Sequence, residues 1–109
     1  MVKVKIIWSD FALDNVEAIG EEIEKKSPQA AENVVTEIYN RVTQLESFPL
    51  SGTIEERLTK LGLDHRFLVI YSYKIIYRLI DENTVFITDV FPCRKDPVEL
   101  PKRAKKTTI

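Results

Sequence analysis

The sequence predicts an α+β domain: an antiparallel sheet of about four strands with an αα-hairpin packed on one face, in the order β-α-α-β-β-β. Three observations predict it. Between Tyr71 and Ile80 the chain alternates, with Tyr71, Tyr73, Ile75, Tyr77 and Leu79 on one side and Lys74, Ile76, Arg78 and Ile80 on the other. That period of two belongs to a strand, and apolar residues on both sides suit a central strand better than an edge. Thr84 to Phe91 repeats the strand composition after the short polar break Asp81-Glu82-Asn83, which reads as an antiparallel hairpin. Upstream, two stretches keep helical spacing and are separated by only a few residues, the signature of a helical hairpin.

Taken in order, Val2, Val4 and Ile6 oppose Lys3 and Lys5, a short strand whose lysines suit a sheet edge. Ser9 or Asp10 stands where a helix N-cap belongs, its side-chain oxygen able to accept from a free backbone N–H. Ala12, Val16, Ile19 and Ile23 then form the apolar stripe of a first helix. Gly20 weakens that helix by about 1 kcal/mol relative to alanine but lets a second helix come close. Ser27-Pro28 restarts the pattern as cap and first turn, and Ala31, Val34 or Val35, Ile38, Val42 and Leu45 carry a second stripe to about Glu46. Phe48-Pro49-Leu50-Ser51-Gly52 ends it, because proline and a Ser-Gly pair stop a helix. Thr53 to Asp64 is read as a loop with a helical turn, and His65 to Ile70 as a further strand leading into the central one.

The chain has 109 residues, 44% of them hydrophobic and 30% charged, enough for one domain with a real core. A net charge of −1 argues against a surface built throughout to grip nucleic acid. The charge is unevenly spread. Asp10 to Ser47 holds nine acids and three bases, whereas Arg94 to Ile109 holds six bases and two acids, so the two parts suit different partners. A single cysteine, Cys93, excludes a disulfide framework within the chain and fits a reducing compartment. No apolar run is long enough to span a bilayer, and the N-terminus lacks the features of a signal peptide. These points predict a soluble cytoplasmic protein with no membrane partner. One histidine without cysteine or histidine partners is not a metal site, and neither a metal nor a cofactor is expected.

Five further features carry a family likeness: a first strand ending in an aromatic residue before the cap; Ser27-Pro28-Gln29-Ala30-Ala31; Leu45-Glu46-Ser47-Phe48-Pro49-Leu50-Ser51-Gly52; Arg66-x-Leu68-x-Ile70-x-x-Tyr73-x-Ile75-x-Tyr77-Arg78; and Val90-x-x-x-Arg94-Lys95-Asp96-Pro97. In this order and spacing they resemble the ParE/RelE superfamily of toxins from bacterial type II toxin–antitoxin (plasmid stabilisation) modules, specifically its ParE-like branch. The likeness runs from about Val2 to Pro97, implying a toxin domain at residues 1–97 and a basic C-terminal tail at 98–109. It implies a cognate antitoxin that neutralises the toxin, seated along the outer sheet edge and the groove beside the helical hairpin. A homodimer or a heterotetramer with the antitoxin is implied as well.

Two activities occur in the superfamily. RelE-like members are endoribonucleases that cut messenger RNA at the ribosome, whereas ParE-like members are associated with poisoning DNA gyrase. The resemblance carries the nuclease cations onto Lys74 and Arg94. The earlier lysine pair falls on His65 and Phe67, and the expected C-terminal tyrosine on Leu100. Leucine passes no proton, and a phosphate clamp wants several cations, so the resemblance implies inhibition of gyrase rather than catalysis. Arg66, Arg94 and Lys95 are then the foremost residues for target contact, with Lys74 and Arg78 next. The alternatives are a nuclease using Lys74 and Arg94 with His65 as acid or base, and a non-toxic binding module on the same fold. Read as strand residues alone, Lys74 and Arg78 share a face with Arg66 near them, and with Arg94 they form either a basic patch on or beside the sheet or ordinary solvated charge. Tyr71, Tyr73 and Tyr77 read as core packing before base stacking. Cys93, beside Arg94 and Lys95 but without a base partner, reads as a free thiol.

Overall fold

The computed structural model describes residues 3–95. Val2, Asp96-Pro97, Leu100 and the basic tail from Lys102 to Ile109 lie outside the described residues. The elements are β1 (Lys5–Trp8), α1 (Asp10–Glu24), α2 (Pro28–Thr43), a 3₁₀ turn (Gln44–Glu46), β2 (Thr53–Ile54), α3 (Glu56–Thr59), β3 (Arg66–Ile70), β4 (Tyr73–Asp81) and β5 (Thr84–Pro92), closed by a second 3₁₀ turn (Cys93–Lys95). The predicted α+β class and element order are those observed. The sheet has five strands in the order β1-β5-β4-β3-β2, one more than the sequence shows, because the two-residue β2 is too short to leave a period. It is also mixed. Three successive antiparallel pairings from β2 to β5 return the chain beside β1, where the last pairing is parallel. Everything from α1 to β4 thus serves as the long crossover that a parallel pairing needs.

Both predicted helix starts form. Ser9 Oγ accepts from the Ala12 N–H at 2.9 Å and donates to the Thr88 carbonyl at 3.0 Å, tying the α1 cap to β5. Ser27 Oγ accepts from the Ala30 N–H at 3.1 Å, with Pro28 in the first turn where its missing N–H costs nothing. A Cβ on Gly20 would stand 3.2 Å from the Val35 side chain, so glycine sets how closely α1 and α2 pack.

Central strand β4 is buried on both faces, as its two-sided apolar pattern predicts. Ile75 and Tyr77 join Ala12, Val16, Ile38 and Val42 in the core under the helices. On the opposite face Ile76 packs with Leu58 and Phe91 in a second, smaller core. The register shifts between Ile76 and Tyr77, which pair with Asp89 and Ile87 and leave Thr88 as an extra residue on β5. That bulge changes the parity of β5: Val85 and Ile87 enter the helical core before it and Val90 after it. Tyr71 does not belong to β4. It occupies the β3–β4 turn with φ 53° and is 61% exposed, so the tyrosine stripe starts at Tyr73. Alternation alone cannot reveal a tight turn inside an unbroken apolar–aromatic run.

Tyr77 also fixes the loop after α2. Its hydroxyl donates to the Pro49 carbonyl and accepts from the Gly52 N–H, both at 2.9 Å. A Cβ on Gly52 would stand 2.5 Å from that hydroxyl oxygen and 2.8 Å from the Phe67 carbonyl. Tyr77→Phe is therefore expected to cost about 1–3 kcal/mol by stranding buried polar groups. Gly52→Ala should cost about 2 kcal/mol by forcing the loop off the sheet. Urea unfolding of each variant checks both, and a loss below about 0.5 kcal/mol in either would show that the loop is not anchored there.

Candidate functional site

The six basic or titratable candidates fall into three places. Lys74 points to the face of β4 away from the helices, and its side chain is only 7% exposed. Its ammonium lies 2.5 Å from Oε2 of Glu55 and 4.0 Å from the centroid of the Phe67 ring. Glu55 comes from the segment after β2, and its side chain is 4% exposed. It caps α3, accepting from the Arg57 backbone N–H and, at 3.1 Å, from Arg57 Nε. Burial by itself would raise the Glu55 pKa. The hydrogen bonds from Arg57 and Lys74, with their charges, outweigh it and hold the carboxyl below its ordinary value. Leu58 of α3 covers the same sheet face beside Ile76 and Phe91. Lys74 is thus an interior charge neutralised by a carboxylate, not an exposed cation.

His65, Arg66 and Arg78 form the second group. Arg66 pairs in register with Tyr77, and so turns to the helix side of the sheet, whereas Arg78 follows the parity of Lys74 and Ile76. Arg66 Nη1 donates to the Leu50 and Gly52 carbonyls at 3.3 and 3.0 Å. Arg66 and Arg78 nevertheless meet at a cavity of about 140 Å³ that Leu50, Asp64 and Leu79 also line. His65 is buried, with no hydrogen-bond partner to Nδ1. Burial chiefly, and then the positive charge of Arg78, lower its pKa, against opposing effects of Asp64 and the Leu63 backbone.

Arg94 and Lys95 form the third group, exposed on the 3₁₀ turn after β5. They line an open groove of about 400 Å³ between the end of the sheet and α1, together with Tyr73, Asn15 and Glu22. Tyr73 and Arg78 are five residues apart on one strand, roughly 17 Å. The predicted basic cluster is therefore divided, and its middle member is neutralised. Cys93 is a free, half-buried thiol. Among the described residues no group of three or more His, Cys, Asp or Glu could hold a metal, and no helix is long and apolar enough to cross a membrane.

On the outer side of the helical hairpin lies a groove of about 630 Å³. Its apolar floor includes Val35 and the exposed Leu13 and Tyr39, and Glu17, Glu21 and Glu32 line it. Tyr39 is held by Trp8, with ring centroids 5.0 Å apart.

The family model of the ParE toxin of type II toxin-antitoxin system, parDE, matches residues 6–97. The chain belongs to the ParE toxin family. Among solved structures, the chromosomal ParDE TA system from P. aeruginosa has a chain similar to this one, with a TM-score of 0.64 and 15% identity. The match covers 83% of this chain and 96% of that one, and at this identity it speaks for the fold alone. Among curated proteins no sequence is similar enough to match. The ParE matched segment contains all six candidates and Glu55. Sequence reasoning missed Glu55, although a signal was present: a lone lysine between Tyr73 and Ile75 on a strand apolar on both sides demands a buried counter-ion.

Two consequences are measurable. Lys74→Met leaves Glu55 buried with only Arg57, and should destabilise this ParE chain by about 3 kcal/mol. Adding Glu55→Gln should restore most of that loss, and denaturant unfolding of the single and double variants measures the coupling. His65, the only histidine, has a folded pKa below its ordinary 6.5. The unfolded chain therefore takes up the proton first as the medium acidifies. Stability should be constant above about pH 7 and fall below 6.5 by at most about 1.4 kcal/mol per pH unit. Glu55 adds a second loss below its ordinary 4.5. His65→Gln should flatten the unfolding free energy between pH 7.5 and 5.5, and an unchanged slope would refute the assignment.

Proposed function

We propose that this ParE-family chain is a cytoplasmic toxin that arrests growth by binding DNA gyrase, and that a cognate antitoxin keeps it inactive. The observation that carries this reading is the burial of Lys74 against Glu55. The resemblance assigns that position to a phosphate-binding cation in the nuclease branch. Here its charge is compensated and its face is covered by Leu58, which leaves binding as the better-supported mode of action. No cofactor enters the proposal.

Arg94 and Lys95 are the foremost target contacts, since both are exposed beside the groove that Tyr73 shares. Guanidinium groups suit bidentate contacts to carboxylate or phosphate. Arg66 and Arg78 are secondary, and Lys74 leaves the contact set on the strength of its ion pair. The antitoxin seat is the groove on the helical hairpin. Its apolar floor and glutamate rim match an amphipathic helix with Lys or Arg flanking its apolar stripe. The same antitoxin would extend a strand along the sheet edge.

Induced expression in a bacterial host, with and without Arg94→Ala/Lys95→Ala, tests the proposal. The expected outcome is arrest with filamentation and intact transcripts, relieved about tenfold or more in the double variant, and inhibition of supercoiling by purified gyrase. Transcripts cut within reading frames would replace the proposal with the endoribonuclease alternative. Normal growth despite abundant soluble protein would leave a binding module.

A further inference from the structure

The loop from Phe48 to Gly52 exposes its two largest side chains while its backbone is held on every side. Phe48 is 64% exposed and Leu50 60%. The Phe48 N–H donates to the Gln44 carbonyl at 2.9 Å, and the Ser51 N–H to the Phe48 carbonyl at 3.1 Å. Tyr77 holds Pro49 and Gly52, Arg66 holds the Leu50 and Gly52 carbonyls, and Gln44 donates to Ser51 Oγ at 2.9 Å. Phe48 and Leu50 belong to neither core cluster, yet the loop that carries them is anchored to the buried Tyr77. Ile54, 48% exposed, stands opposite Arg66 in the strand pairing, and Arg66 in turn holds the loop. Leu50 forms one wall of the small cavity that Arg66, Arg78 and Asp64 share.

We infer that the Phe48–Gly52 loop, with Ile54 and the Arg66–Arg78 cavity, is a docking surface for an acidic protein segment carrying a bulky apolar side chain. A rigid loop presents apolar anchors without an ordering cost on binding, the condition under which a few residues dominate affinity. The two arginines outweigh the single Asp64 carboxylate and supply the charge complement; the field of Arg78 is already felt at His65. Nucleic acid suits the site poorly. Phe48 is the one stacking face beside aliphatic Leu50 and Ile54, two cations do not track a phosphate backbone, and Asp64 opposes one. This surface is opposite in charge to the glutamate-rimmed groove on the helical hairpin, so a segment suited to one is repelled by the other. The surface is accordingly assigned to the protein target rather than the antitoxin, an assignment that rests on the toxin reading above.

The test uses the chain made by cell-free synthesis, in wild-type, Phe48→Ser/Leu50→Ser and Arg78→Glu forms, each checked by thermal melting. A short synthetic peptide in which Asp and Glu alternate with Leu and Phe is titrated against labelled chain and followed by amide shifts. Saturable changes at Phe48, Leu50, Ile54, Arg66 and Arg78 are expected, with binding weakened about tenfold in both variants and absent for the same peptide carrying Lys in place of Asp and Glu. Equal response to both peptides, changes elsewhere or no changes would overturn the surface. In parallel, wild type and variants are compared for inhibition of purified gyrase and for complex formation with the antitoxin. Loss of gyrase inhibition with the antitoxin complex retained supports the assignment. Undiminished inhibition, or loss of the antitoxin complex instead, overturns it. If wild type does not inhibit gyrase, the gyrase reading fails, while the titration still decides the surface.

Discussion

The two-sided burial of β4 is the constraint on which the rest of this structure depends. A strand apolar on both faces must be covered on both, and the helical hairpin covers only one, through Ala12, Val16, Ile38 and Val42 against Ile75 and Tyr77. The other face is closed by the short segment between β2 and β3, which lays Leu58 and Leu63 over Ile76, Phe67 and Phe91. Lys74 sits at the margin of that second core. An ammonium there is tolerable only when compensated, which gives Glu55 a structural role. The position of Glu55 is in turn set by pairing: Ile54 stands opposite Arg66, and the Glu55 N–H donates to the His65 carbonyl at 2.9 Å. Two residues of β2 thus place the carboxylate that lets the central strand be buried.

The same strand organises the other side of the molecule through Tyr77. Its ring is part of the helical core, and its hydroxyl reaches through to the loop after α2. Burial raises its pKa, while the Gly52 N–H and the nearby Arg66 act in the opposite sense. The phenol therefore serves as a neutral hydrogen-bonding post at ordinary pH, donating once and accepting once. Arg66 shares that task, since its guanidinium holds two carbonyls of the loop. Any contact Arg66 makes with a partner uses its remaining donors and transmits directly to Leu50 and Gly52.

Local signals made much of this legible in the sequence. Ser9 and Ser27-Pro28 announced both helices because capping is a short-range exchange of hydrogen bonds. The pattern of β4 announced its central place because alternation records burial. What stayed hidden depends on distant partners. The parallel pairing of β1 follows from the whole path of the chain. The bulge at Thr88 is invisible because it depends on how β5 registers against β4. Positive φ at Tyr71 belongs to a residue type that rarely adopts it, so no composition rule flags that turn. The basic candidates were found as residues but not as a site. Strand parity gives a face, yet it does not say whether a carboxylate from elsewhere in the chain arrives there first.

That last point bears on the proposed mode of action, which the fold alone does not settle. For Lys74 to meet a scissile phosphate, Glu55 would have to leave it and the segment carrying Leu58 would have to lift. Lifting exposes Leu58, Ile76 and Phe91, each worth roughly 1.5–3 kcal/mol of burial. Separating the buried ion pair adds about 3 kcal/mol. The sum is of the order of the entire stability of a small domain, about 5–15 kcal/mol. Substrate binding would therefore have to supply the equivalent of unfolding the second core before any chemistry began. Arg94 and Lys95 carry no such cost, because they stand exposed on a turn that seals nothing. A central lysine committed to the chain's own interior, with Arg94 and Lys95 exposed at the sheet's end, supports the proposed binding role, and the energetics of the second core are the reason.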